Sequence, residues 1–80
     1  MTEHEKRLKR LAIRSWRRGT KEMDLILGRF WDAEGTMLDP ETLDLYETML
    51  SENDQDLYAW VSGQAPTPDE FSNLVARLRP

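Results

Sequence analysis

The segment Arg17-Arg18-Gly19-Thr20-Lys21-Glu22-Met23-Asp24 divides the first part of the chain into two helices. Arginines in a last turn suit the negative end of a helix, and a glycine at the position of Gly19 relieves the left-handed conformation that ends many helices. Thr20 is then placed to cap a second helix that begins at Lys21. The segment therefore predicts a helix stop, a glycine turn and a new helix start.

The helix before this turn is predicted to begin near residue 3, because Thr2-Glu3-His4-Glu5 is a capping box, and to run to about Arg17. At 100° per residue its apolar arc and its basic stripe fall on different sides. The apolar arc contains Leu8, Leu11, Ala12, Ser15 and Trp16, and the basic stripe contains Arg7, Arg10, Arg14 and Arg17. Ile13 lies within the basic stripe, where a protein partner could bury it.

The second helix is predicted from Lys21 to about Asp32, followed by a loop over residues 33–38 that contains Gly35. Leu25 falls on its polar side, beside Glu22 and Arg29. Its opposite, apolar side carries Met23, Ile26, Leu27, Phe30 and Trp31.

Three further helix starts follow the loop. Asp39-Pro40 supplies an N-cap and a first-turn proline for a helix to about Leu50, and Asn53 or Asp54 caps a short helix that Gly63 stops. Thr67-Pro68-Asp69-Glu70 begins a fifth helix. The inner residues of the three helices are Leu43, Tyr46 and Leu50, then Leu57, Trp60 and Val61, then Phe71, Leu74, Val75 and Leu78. Because no segment alternates with a two-residue period, the sequence predicts an all-α fold, a single small five-helix bundle.

The length and composition indicate one domain over residues 1–80, since 80 residues with 39% hydrophobic side chains suffice for one small core. The chain has no cysteine, which is compatible with a reducing compartment. No apolar run approaches the ~18 to 20 residues of a membrane span, and the first residues form a charged helix rather than a signal peptide. We therefore expect a soluble, cytoplasmic monomer without membrane insertion.

Charge is distributed unevenly along the chain. Residues 1–21 carry eight Lys or Arg against two Glu, a net charge of +6, whereas residues 22–80 carry a net charge of −10. Such polarity favours electrostatic selection of a partner.

The sequence offers little for catalysis or metal binding, so we expect a protein that is not an enzyme. His4 is the only histidine and lies in a first helical turn, where solvation is its ordinary state. Asp54-Gln55-Asp56 resembles the start of a calcium loop, but Ala59 and Ala65 stand where that loop needs glycine and glutamate. Acids at a helix N-terminus explain Asp54 and Asp56 more simply. No Glu-x-x-His pair and no glycine-rich phosphate loop are present, so no cofactor is expected to be bound by a motif of this chain.

The basic stripe allows three interpretations: a solvated face, a protein-binding face, or a surface for nucleic-acid phosphates. The net charge of −10 on the rest of the chain would repel nucleic acid, so nucleic-acid binding is not expected. An antitoxin-like regulatory or nucleic-acid-binding helical module is kept as the alternative function.

Two motifs together resemble the succinate dehydrogenase FAD-assembly factor family of the SdhE type. The first is Arg18-Gly19-x-x-Glu22 followed by Asp24, Leu27 and Phe30, and the second is Leu50-x-x-x-Asp54-x-Asp56-Leu57-x-x-Trp60. The resemblance covers nearly the whole chain and implies a chaperone-like factor that promotes covalent attachment of FAD. The attachment would be to a histidine of the flavoprotein subunit of succinate dehydrogenase or fumarate reductase, and that partner would carry the FAD.

The resemblance also implies a partner-binding site at the turn between the first two helices. It consists of Arg18, Gly19 and Glu22 with Asp24 adjacent, and Arg14 and Arg17 of the basic stripe would orient docking. Arg18 and Glu22 are expected to face outward and hydrogen-bond the partner, while Gly19 permits close approach of the backbone. Thr20 and Met23 depart from the larger apolar residue and the leucine that are common in the family. Trp60 is assigned to the core rather than to flavin stacking.

Overall fold

The computed structural model describes residues 1–79, and this part of the chain forms five α-helices and no strand. None of these helices is both long and apolar enough to cross a membrane. Their bounds are α1 Glu3–Trp16, α2 Lys21–Glu34, α3 Pro40–Leu50, α4 Asp54–Ser62 and α5 Ser72–Leu78. The all-α, five-helix prediction is confirmed.

The first four helices begin where the sequence places a cap. Thr2 accepts a hydrogen bond from the Glu5 N–H at 3.1 Å, Thr20 accepts from Met23, Asp39 from Thr42 and Asn53 from Gln55. Each side-chain oxygen satisfies a backbone donor that has no partner inside its helix, which stabilises a helix by about 1 kcal/mol. Local chemistry thus sets these four boundaries.

Two boundaries differ from the prediction. Helix α2 continues to Glu34 and passes into a 3₁₀ turn over Gly35–Met37, because Gly35 adopts a right-handed helical conformation (φ −55°, ψ −45°) and does not stop the helix. The fifth helix begins at Ser72 rather than at the predicted Thr67-Pro68 start. Pro68 is extended (ψ 140°), and Phe71 donates to its carbonyl at 3.0 Å, so a 3₁₀ turn over Asp69–Phe71 precedes α5.

All five helices contribute to one hydrophobic core. Tyr46 of α3 lies at its centre, with ring centroids 5.5 Å from Phe30 and 5.6 Å from Trp31. Trp60 is half-buried and packs against this core, as expected. The buried apolar residues are Leu11, Met23, Leu27, Phe30, Trp31, Leu43, Tyr46, Met49, Leu50, Leu57, Val61, Phe71, Leu74, Val75 and Leu78.

The contact of α1 with α2 depends on a glycine that the sequence analysis did not single out. The ring of Trp16 lies against Gly28, where an added Cβ would come within 2.3 Å of the Trp16 ring. Any other residue at Gly28 would displace this ring. Trp16 is nevertheless 38% exposed, so its predicted place in the apolar arc is confirmed only in part.

Tyr46 makes the stability of the core sensitive to alkaline pH. Ser15 donates its one hydroxyl proton to the Leu11 carbonyl at 2.7 Å, so the Tyr46 hydroxyl is the donor in the 2.6 Å bond between the two side chains. Burial raises the pKa of Tyr46 to about 12, more than the Ser15 hydrogen bond lowers it. A raised pKa means that this stability is complete below pH ~10, the unfolded pKa, and is lost as pH rises towards 12.

We expect alkaline titration from pH 9 to 12 to remove about 2 to 3 kcal/mol of stability through Tyr46, since each unit of pKa shift corresponds to about 1.4 kcal/mol. Urea denaturation at each pH measures it. Tyr46→Phe is the control, because it keeps the ring and removes the titrating group. Parallel pH profiles for the two proteins would contradict the assignment.

Candidate partner-binding site

The turn between α1 and α2 is held against α4 by an ion pair. The Arg18 Nη2 lies 2.7 Å from Asp54 Oδ1, and the two side chains are only 10% and 14% exposed. The Arg18 Nε also donates to Asp54 Oδ1, at 2.8 Å. Asp54 is the first residue of α4, so this pair joins two helices that are distant in the sequence.

The remaining guanidinium donors of Arg18 are used on backbone carbonyls. Nη1 donates to Leu50 at 2.9 Å and to Arg14 at 3.4 Å, and Nη2 donates to Glu52 at 3.3 Å. Leu50 and Glu52 flank the end of α3, where carbonyls lack helical partners. Four hydrogen bonds and the ion pair with Asp54 therefore use all three nitrogens of the guanidinium within the chain. The prediction that Arg18 faces outward to bond a partner is therefore wrong, because its side chain ties α1 to α3 and α4.

Gly19 and Asp24 complete the turn through the backbone. The Gly19 N–H donates to Asp54 Oδ2 at 2.7 Å, and the Arg18 N–H donates to the Asp24 carboxylate. Gly19 does not adopt the predicted left-handed conformation. In residues 1–79 the only glycine with a positive φ is Gly63, at 82° after α4. The predicted role of Gly19 as a left-handed helix stop is wrong, since these two hydrogen bonds fix the turn.

The outer surface of the turn remains open. Gly19 and Glu22 are both exposed, and an added Cβ on Gly19 would make only an ordinary contact, 3.4 Å from Asp54 Oδ2. Within residues 1–79 the side chain of Glu22 has no hydrogen bond or ion pair. A small recess of about 190 Å³ lies beside them and is lined by Thr20, Glu22, Asp54, Gln55 and Tyr58. The outward orientation predicted for Glu22 is confirmed.

A larger recess of about 530 Å³ continues from Glu22 along α2 towards α5. Glu22 and Tyr58 line both recesses, which makes them parts of one surface, the α2–α5 groove. The lining residues of the larger recess are Glu22, Leu25, Ile26, Arg29, Phe30, Glu34, Tyr58, Arg77 and Leu78. Ile26, predicted on the inner side of α2, is only half-buried and belongs to this surface.

The basic stripe of α1 is partly neutralised by α3. Arg7 lies 2.7 Å from both Asp44 and Glu47, whose hydrogen bonds raise the pKa of Arg7. Arg14 is 3.7 Å from Glu47, and Arg17 is exposed. The structure therefore places Arg17 near the turn as a solvated cation, while Arg14 is directed towards α3.

Sequence reasoning missed three features of this site. Asp54 was explained as an acid near a helix dipole, but it is also the acceptor for Arg18 and Gly19. Leu25, on the polar side of α2, and Tyr58, which is 40% exposed, line the groove. The only sequence signal for the contact between Arg18 and Asp54 was the family resemblance, because each of the two residues belongs to one of its two motifs.

Residues 1–79 contain no group of three or more His, Asp or Glu side chains placed to hold a metal ion. The carboxylates of Asp24 and Asp54 instead accept hydrogen bonds from Arg18 and Gly19. Chemically, the arrangement offers a rigid corner, an unpaired carboxylate and an apolar recess beside it, which is a surface suited to a protein partner.

Comparison with known proteins agrees with the two motifs. The family model of the flavinator of succinate dehydrogenase matches residues 9–80. The FAD assembly factor SdhE of Legionella pneumophila is 35% identical over 63 residues, which cover 79% of this chain and 80% of that protein. SdhE of Acetobacter pasteurianus is 36% identical over 71 residues, covering 89% of this chain and 65% of that protein.

Mitochondrial proteins are among the relatives as well. Succinate dehydrogenase assembly factor 2 of Dictyostelium discoideum is 35% identical over 78 residues, covering 98% of this chain and 55% of that protein. This chain spans about half of that relative, and 22% of the one from Aspergillus flavus. The expected cytoplasmic location is contradicted by these relatives, which are named as mitochondrial. Composition and a charged first helix carry no information on the compartment.

A family match over nine-tenths of the chain, and a bacterial relative covered over most of its length, agree with the paired Arg18 and Asp54 motifs. The chain belongs to the family of succinate dehydrogenase flavinators, the FAD assembly factors.

Proposed function

We propose that this protein binds the flavoprotein subunit of succinate dehydrogenase or fumarate reductase and promotes covalent attachment of FAD to it. The observation that carries the proposal is the exposed pair Gly19 and Glu22 on a corner fixed by the part-buried Arg18–Asp54 ion pair. Family membership supplies the reaction that the binding serves.

Arg18 acts in this proposal as a positioning residue. Its hydrogen bonds to Asp54, Leu50 and Glu52 hold the turn against α4 and the end of α3, so Gly19 and Glu22 present one fixed surface before the partner arrives. A surface that is rigid before binding loses less conformational entropy on association, which strengthens the complex. Glu22 supplies the charge that selects a cationic group on the partner.

The chemistry belongs to the partner. Covalent flavinylation requires the flavin methyl carbon and the attacking imidazole of the partner in a near-attack arrangement, and most of the rate gain from such an arrangement is geometric. At the corner Arg18 and Asp54 are bonded within the chain, and the Glu22 carboxylate is exposed to water rather than held in a cleft. The contribution of this chain is therefore to restrain a mobile region of the flavoprotein. It acts as an assembly factor without catalysis or a cofactor of its own.

The alternative of a nucleic-acid-binding module has less support. Arg7 and Arg14 of the basic stripe face Asp44 and Glu47 across α1 and α3, so they are not free to neutralise phosphates. Phosphate neutralisation is the main source of affinity in such modules.

We expect the flavoprotein to carry more covalent flavin when it is expressed with this protein than without it. In-gel flavin fluorescence after denaturation measures the covalent fraction, because only covalently held flavin survives. An Asp56→Ala variant should raise the covalent fraction as much as the wild-type protein does, since Asp56 is exposed and lies next to the site without lining it. Equal covalent flavin in the presence and absence of the wild-type protein would reject the assembly role.

A further inference from the structure

The α2–α5 groove has an apolar floor where the edge of the core, Phe30 and Leu78, meets the surface residue Leu25. Leu25 is half-buried and lies outside the cluster of residues packed against the core, although its neighbours Ile26 and Phe30 belong to it. With Leu78 they form a continuous apolar strip along α2 and α5. A leucine held at the surface beside Tyr58 leaves apolar area that an ordered partner could remove from water.

The unpaired charged residues that line the groove lie at opposite ends of it. Glu34 and Arg77 pair with each other across α2 and α5, and so neutralise one wall. Glu22 and Arg29 have no such pairing within residues 1–79, and both line the recess. They lie seven residues apart on α2, about 10 Å at 1.5 Å per residue. The groove therefore has an acidic end next to Gly19 and a basic end two turns further along.

The shape favours a segment of protein over a small molecule. The recess is open to solvent along its length, whereas sites for small molecules enclose most of the ligand surface. A groove between two helices with an apolar floor and charged ends is the geometry that takes an amphipathic helix.

We propose that this groove binds an amphipathic helix of the flavoprotein partner. Large apolar side chains of that helix lie over Leu25 and Tyr58, a lysine or arginine pairs with Glu22, and an acidic residue about two turns away pairs with Arg29. This inference rests on the proposed function and extends its site from the corner to the length of α2. Glu22 links the corner to the groove, because it lines both recesses.

The test uses the purified apo flavoprotein subunit as the probe and measures its dissociation constant by calorimetry. Leu25→Glu is expected to weaken binding about tenfold to hundredfold, because it removes one buried apolar side chain and adds a charge to the floor. Met37→Glu is the matched control. Met37 is 76% exposed, does not line the groove, and should leave the dissociation constant within about twofold. Leu25→Met keeps an apolar side chain at this position and should bind the flavoprotein as the wild-type protein does. Circular dichroism checks that each variant is folded.

Equal binding by Leu25→Glu and the wild-type protein would overturn the groove proposal while leaving the proposed function intact. Equal losses in Leu25→Glu and Met37→Glu would overturn it as well, because added negative charge alone would then explain the effect. A change of oligomeric state in Leu25→Glu, with unchanged flavoprotein binding, would assign the groove to self-association. Absence of any binding by the wild-type protein would reject the function and the groove together.

Discussion

Asp54→Ala should lower the free energy of unfolding by about 3 kcal/mol, the largest effect expected of a single polar substitution in this chain. It would leave the Arg18 guanidinium, 10% exposed, without its counter-charge, and the Gly19 N–H without an acceptor. Removing one partner of a buried ion pair is strongly destabilising because the other charge stays desolvated. For a domain of this size the midpoint of thermal unfolding should fall by roughly 15 °C.

Asp56→Ala is the matched control for this prediction. Asp54 and Asp56 both lie in the first turn of α4 and interact with its dipole, but Asp56 is exposed. Its loss should change stability by no more than about 0.5 kcal/mol. A double variant, Arg18→Met with Asp54→Leu, should recover part of the loss, since it removes both charges. Equal midpoints of thermal unfolding for Asp54→Ala and Asp56→Ala would show that the ion pair does not stabilise the turn between α1 and α2.

Gly19→Arg should abolish the increase in covalent flavin while leaving the fold intact. Gly19 is exposed, has no positive φ, and a Cβ there would only touch Asp54 Oδ2 at 3.4 Å, so the side chain would project outward. A long side chain at the centre of an interface prevents close approach of the partner, and losses at such positions exceed about 2 kcal/mol, or about thirtyfold in affinity. In-gel flavin fluorescence and a thermal melt measure the two properties separately.

Gln64→Arg is the control for the added cation, because Gln64 is exposed beyond the end of α4 and lines neither recess. It should support flavinylation at the wild-type level. Undiminished flavin attachment with Gly19→Arg would remove the turn from the binding site. A collapse of its melting transition would instead make Gly19 chiefly structural.

Several elements of the fold follow from signals within a few residues of one another. The caps at Thr2, Thr20, Asp39 and Asn53 begin their helices as predicted, because an N-cap satisfies backbone donors two or three residues away. The start of α5 was missed because a proline and two acids also suit a 3₁₀ turn, and the choice depends on where Phe71 must lie in the core. Met49 was not predicted on the inner face of α3, yet it is fully buried. Its burial depends on how the other helices pack around α3.

The candidate site divides in the same way. The outward position of Glu22 followed from helix geometry, since it shares the polar side of α2 with Arg29 and Leu25. The inward position of Arg18 did not, because its acceptors lie on α3 and α4, at a separation of 32 to 36 residues. No local pattern reports a bond between side chains so far apart in the chain.

The sequence by itself determined the five helices, their apolar faces and the family, because caps, periodicity and motifs are read from neighbouring residues. Only the tertiary structure decided that the part-buried Arg18 side chain joins α1 to α3 and α4, that the Gly19 N–H donates to Asp54, and that Leu25 and Tyr58 share a groove with Glu22. The physical reason is that ion pairs and surface recesses arise where helices meet, and the packing of the core sets where they meet.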